Sequence, residues 1–210
     1  MSRTTAPGLR EARKQQTRQS MLDAALGLLE EQSLSSLGLR EVTRAVGITP
    51  AAFYRHFRDI PDLGVALVEQ ALGSLHTLVT SLLTEQDGAE ERIDTSVELI
   101  QRYVRAHPAH VRFVARERYG GVREVRLAIA AQLNLFTREV ADALSAEAAA
   151  KDWSPAELHM LAGLFVDQMV LTACAFLNAE LGEGPSPTEV ADTARARMRL
   201  VQLGREHWRG

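Results

Sequence analysis

Residues 37–63 read LGLREVTRAVGITPAAFYRHFRDIPDL. Leu39, Val42 and Val46 recur at helical spacing and define one apolar face. Gly47 follows, the residue type that takes the left-handed conformation ending a helix. Ile48 plugs the turn. Thr49 suits an N-cap and Pro50 a first helical position. Phe53 and Phe57 are four apart and share the inner side of a second helix, which turns Pro50, Ala51, Tyr54 and Arg55 outward. Helix, glycine-containing turn, helix is the layout whose second helix enters the major groove of DNA. Small side chains at its start let backbone approach base edges, and tyrosine, histidine and arginine suit phosphate oxygens. The competing reading is a helical hairpin in an ordinary all-α core. Capping, turn and outward face together weigh against it.

Charge is distributed as such a reader requires. The 210 residues carry a formal net charge of −3, which argues against a non-specific nucleic-acid coat protein. Residues 1–60 hold nine Lys and Arg against six acids, so this part is +3 and the remainder −6. Such a field attracts phosphate at one end and repels it elsewhere. Cys174, the only cysteine, sits in an apolar run. A disulfide framework and a cysteine-based zinc site are thereby excluded within one chain. The amino terminus has no apolar h-region, so no signal peptide is expected. The most apolar stretch, 161–177, contains Asp167, Gln168 and Thr172, and reads as too polar and rather short for a membrane span. A cytoplasmic location with no membrane partner is the resulting expectation.

Outward from the central stretch, every pattern is helical. Residues 1–10 read as a mobile basic arm. A first helix is expected over 11–32, with Leu22, Ala25, Leu26 and Leu29 as its inner stripe. Asp59 caps a fourth helix that holds Pro61 in its first turn and runs to about residue 85. Further helices are expected at 90–106, 109–118, 122–147, from Trp153-Ser154-Pro155 to 181, and over 188–204. No segment alternates like a strand. The expected fold is therefore all-α with nine helices, divided into a DNA-binding unit at 1–58 and a helical remainder at 59–210. The eighth helix is apolar nearly all round over 158–177, so it needs cover on more than one side. A dimer supplies that cover, and the alternative is a central core helix within a monomer.

The pattern Val42-x-x-x-Val46-Gly47-Ile48-Thr49-x-x-x-Phe53-Tyr54-x-His56-Phe57 resembles the DNA-binding domain of TetR-type repressors, over residues 11–63. Within them the chain looks most like the DesT- and FabR-like branch, which regulates unsaturated fatty acid synthesis. That closer likeness rests on 36–42, 53–59, Leu63-Gly64 and Arg116-Glu117-Arg118. The resemblance implies a TetR-like architecture, a homodimer joined by the last two helices, and a double-stranded operator of two half-sites about 34–36 Å apart. It places Arg13, Lys14, Thr17 and Arg18 near the DNA backbone. It makes Arg40 a base reader, since arginine pairs bidentately with guanine; the competing role is an exposed ion pair with Glu41 or Glu11. Pro50 and Ala51 suit a thymine methyl, and Arg55 shares their surface. Thr49, Tyr54, His56 and Arg58 are assigned to phosphates. The chain departs from the family pattern at Ile60, where a lysine is common, at Ala51 and Ser33, where glycine is common, and at Gly38, where a Ser or Thr cap is usual.

No nucleophile elbow, phosphate loop or set of metal ligands is visible beyond residue 59, so neither catalytic residues, nor metal, nor cofactor is expected. A pocket between helices is the default site in such a bundle. The resemblance implies a long-chain acyl-CoA effector. The pocket candidates are Leu75, Phe113, Arg116, Phe136, Leu164, Phe165, Gln168, Met169 and Leu171. By residue type the apolar ones are equally plain core, and at least half are expected to be no more. Arg116 is either a ligand contact or a coupling point to the DNA-binding unit. Two rival readings stay open: a TetR-type efflux repressor released by a hydrophobic drug, and a helical lipid-binding protein without DNA function.

Overall fold

The computed structural model describes residues 8–85, 88–146 and 153–207. Among them are nine helices and no strand: α1 (Leu9–Leu28), α2 (Leu39–Val46), α3 (Pro50–Phe53), α4 (Ile60–Glu85), α5 (Ala89–Ala106), α6 (Pro108–Glu117), α7 (Arg123–Ser145), α8 (Pro155–Glu180) and α9 (Pro187–His207). The expected all-α, nine-helix fold is present. The arm at 1–7 and the end of the seventh expected helix lie outside the described residues.

Local chemistry sets the helix ends. Gly47 closes α2 in the left-handed region at φ 73°, and Ile48 N–H donates to the Thr43 carbonyl at 3.0 Å. At α2's start Gly38 has no side chain to cap with. The Glu41 carboxylate instead reaches back and accepts from Gly38 N–H at 2.7 Å. Thr49 Oγ1 accepts from Ala52 N–H at 3.2 Å, and Asp59 Oδ1 accepts from Asp62 N–H at 2.8 Å. Ser154 with Glu157, and Ser186 with Glu189, make reciprocal boxes ahead of α8 and α9. Two helices are shorter than the sequence suggests. The bonds tighten to three-residue spacing at Arg55 and His56, so α3 is one α-turn followed by a turn at 54–56. In the same way α1 ends at Leu28 and residues 29–33 continue as turns.

One hydrophobic core runs without a break from Met21, Leu22 and Phe53 in the first three helices to Phe113, Ile129 and Phe176 beyond them. The boundary at 58 is therefore not a gap in packing. Gly64 marks the crossing. A Cβ there would lie 2.5 Å from Leu34 and 2.7 Å from Val125, both fully buried, so only glycine lets α4 approach the α1–α2 connection this closely. A smaller cluster of Leu144, Leu158, Leu161 and Ala162 closes the far end.

α4 and α8 are each long and apolar enough to cross a membrane, by length and composition. The expectation of no span concerned residues 161–177, and α8 runs past that stretch at both ends to a length of 26 residues. α8 packs on α5, α6, α7 and α9. Even so, Met160, Leu164 and Leu171 remain exposed along it, beside Leu200 and Leu203 of α9.

Candidate DNA-binding surface and effector site

α2 and α3 present the surface that the sequence assigns to DNA. Thr49, Pro50, Ala51, Tyr54 and Arg55 are all exposed, as are Arg13, Lys14 and Arg40 of the flanking helices. Phe53 and Phe57 anchor them from beneath, with ring centroids 5.7 Å apart and both rings buried. His56 is partly buried in a positive field. Burial first, then the charges of Lys14, Arg55 and Arg18, hold its pKa below the ordinary histidine value. α1 and the recognition turn thus form one electropositive surface. Arg18 belongs to it, with its guanidinium 5.1 Å from the Phe57 ring centroid.

Three assignments look different in three dimensions. Arg58 is paired at the surface with Asp62, which accepts its guanidinium at 3.1 Å and its backbone N–H at 2.9 Å. The bond from the Arg58 N–H leads the effects that lower the Asp62 pKa. Thr17 turns its hydroxyl back to the Arg13 carbonyl at 2.9 Å. Arg40 makes no ion pair with Glu41 or Glu11 among the described residues. Glu41 is engaged instead by Gly38 N–H and by Gln32, whose amide donates at 3.4 Å.

Beyond the first three helices, α4 to α9 line a partly open apolar cavity of about 390 Å³. Leu75 and Phe136 line it together with Phe165 and Met169, so four of the predicted ligand residues are brought together. The sequence reading missed Tyr103, His110, Val170 and Cys174, which also reach it. Tyr103 donates its hydroxyl to the Ala71 carbonyl, which fixes the ring in the wall. Burial pushes the Cys174 thiol pKa up, so the thiol is a wall atom and not a nucleophile.

The other five candidates lie elsewhere. Phe113 is buried in the core behind the cavity. Leu164 and Leu171 point out of the protomer. Gln168 donates to Thr172 Oγ1 at 3.2 Å and is not a wall residue. Arg116 faces the DNA-binding helices. Its guanidinium donates to the carbonyls of Leu29 at 2.8 Å, Gln32 at 2.6 Å and Glu30 at 3.3 Å. These carbonyls lie in the connection that follows α1, and they are satisfied from a residue more than eighty positions away. Its neighbour Glu117 is fully buried and accepts from Leu34 N–H at 2.9 Å. Arg112 adds an ion pair to Glu30 at 3.4 Å. α6 therefore grips the α1–α2 connection directly. A second link is polar: His110 in the cavity wall meets Gln70 of α4 at 3.3 Å, and Gln70 accepts from Gln19 of α1 at 3.2 Å.

Within this chain, residues 21–67 match the family model described as bacterial regulatory proteins, tetR family. The chain's fold is similar to a putative TetR-family transcriptional regulator from Syntrophomonas wolfei, at TM-score 0.75 and 12% identity over 90% of this chain and 96% of that one. It is also similar to the fatty acid degradation regulator FadR from Bacillus halodurans, at TM-score 0.71 and 15% identity over 95% and 98%. FadR from Bacillus subtilis in complex with stearoyl-CoA matches at TM-score 0.70 and 12% identity over 87% and 96%.

Proposed function

We propose that this protein is a homodimeric repressor that senses a long-chain acyl-CoA and controls genes of fatty acid desaturation or unsaturated fatty acid synthesis. The observation that carries the ligand class is the partly open apolar cavity between α4 and α9, lined mainly by aliphatic side chains. The likeness in fold to a regulator that holds stearoyl-CoA supports the same class. The exposed apolar face of α8 and α9 supports a dimer, in which a second copy covers Leu164, Leu171, Leu200 and Leu203. Two copies of the basic surface then face two half-sites of one operator.

Coupling runs through the grip of α6. A chain that fills the cavity displaces α6 relative to α4, and Arg116 and Glu117 carry that shift to the α1–α2 connection. A ligand shifts the DNA equilibrium only by its difference in affinity for the two arrangements. Straight and kinked chains cannot fill one close-packed cavity with the same side-chain positions. The unsaturated chain strengthens repression and the saturated chain relieves it.

The test is operator titration by fluorescence anisotropy with matched saturated and cis-unsaturated acyl-CoAs, with binding of each shown independently by calorimetry. Opposite shifts in operator affinity support the reading. Identical curves remove saturation sensing. Release by planar hydrophobic drugs with no response to any acyl-CoA replaces it with the efflux reading. A chain that retards no fragment of its own promoter has no operator there.

A further inference from the structure

A second recess of about 490 Å³ lies between the end of α6, the middle of α7 and the start of α8. It shares Leu133 and Val166 with the apolar cavity, so these two side chains have one flank on each. Its chemistry is different. Arg118 and Arg126 reach into it, with Asn134 and His159 beside them. Tyr119 stands at its rim, 82% exposed, with the Arg118 guanidinium 5.6 Å from its ring centroid. A large aromatic ring left in solvent beside two arginines is the pattern that binds a base by stacking and its phosphates by charge-assisted bonds.

We infer that this recess holds the phosphate-bearing nucleotide head of the CoA thioester whose acyl chain occupies the adjoining cavity. The inference rests on the acyl-CoA reading above. On the α5–α9 side of the cavity, Arg199 is shared with Glu90 and Asp94 and Arg195 with Asp94 and Asp192, while Arg92 lies in the cavity wall itself.

The recess has one acid, and it identifies how the head is read. Asp167 of α8 accepts from Arg118 at 3.0 Å and is itself 64% exposed on the single protomer, on the α8 face that also carries Leu164 and Leu171. Such an exposed pair is weak, and an incoming phosphate competes with the carboxylate for the same guanidinium. Arg126 is turned to the Gly120 carbonyl at 2.6 Å, which holds its head at the α6–α7 turn. Arg118 directly follows Arg116 and Glu117. Exchange of Asp167 for phosphate therefore releases α6 from α8 next to its grip on the DNA-binding helices.

The two partners of the 3.0 Å pair should act in opposite directions. Calorimetry on the full chain would compare stearoyl-CoA, stearate and CoA alone. Arg118→Ala and Arg126→Ala should each weaken stearoyl-CoA about tenfold, the worth of one charge-assisted bond, and leave stearate unchanged. Asp167→Asn, which needs no repacking, should tighten stearoyl-CoA and again leave stearate unchanged. Wild-type binding of stearoyl-CoA with no change in any of the three variants would overturn the head site and leave the acyl-CoA reading standing. Equal losses for stearoyl-CoA and stearate would mean a structural role for the arginines and also overturn it. No wild-type binding of stearoyl-CoA would remove the acyl-CoA reading, and this site with it.

Discussion

Removal of the Glu117 side chain tests whether α6 holds the DNA-binding helices. Its Oε1 is the partner of Leu34 N–H at 2.9 Å, and both residues are buried. Glu117→Ala leaves that N–H without a partner, which costs about 1–3 kcal/mol. It also removes one packed methylene, about 0.8 kcal/mol. Against this stands Oε2, which has no hydrogen-bond partner and lies where a Cβ on Gly120 would come within 2.1 Å. Its removal returns a desolvation cost of order 1–3 kcal/mol. The net loss is then roughly 1 kcal/mol. Glu117→Gln retains the acceptor and the shape, so it should cost under about 1 kcal/mol. Urea denaturation of the two variants measures the difference, and amide exchange at Leu34 measures it locally. Exchange there should accelerate in the alanine variant and stay near wild type in the glutamine variant. Two variants of equal stability with unchanged Leu34 protection would refute the claim that this contact joins the two parts.

Other expectations concern DNA, assembly and pH. Arg40→Ala should relax operator specificity at one base position, by about 1–3 kcal/mol, whereas Tyr54→Phe should weaken all sequences alike; equal losses on cognate and mutated operators in anisotropy titrations would take base reading away from Arg40. Leu171→Asp should yield a folded monomer, since Leu171 is 58% exposed on the protomer; sedimentation should show half the wild-type mass with unchanged circular dichroism, and an intact dimer would exclude this face. Burial, then the neighbouring His107, lowers the pKa of His110, and His56 is lowered as well. Between the folded values and about pH 6.5 the unfolded chain binds more protons, so stability is full above that window and falls as pH drops through it. His110→Gln should flatten the fall in a pH series of thermal melts, and an unchanged slope would show that this ring is not its source.

Local chemistry was legible in the sequence because its partners lie within four residues. The Gly47 stop, the Thr49 and Asp59 caps, the Phe53–Phe57 anchor and the all-helical order follow from short-range hydrogen bonds and a 3.6-residue period. The outward face of α3 follows from the same period. α8 shows where that reasoning ends. Its apolar residues run all round the helix, so periodicity cannot separate the flank carrying Phe165 and Met169, which lines the cavity, from the flank carrying Leu164 and Leu171, which faces out. Which flank is which depends on where α4, α5 and α7 pack. The role of Arg116 is decided in the same way. Its charge was visible, but its three carbonyl partners lie 84 to 87 residues earlier in the chain. Only the docking of α6 against the end of α1 brings donor and acceptors together, because hydrogen bonds act over about 3 Å of space and not over any fixed distance in sequence.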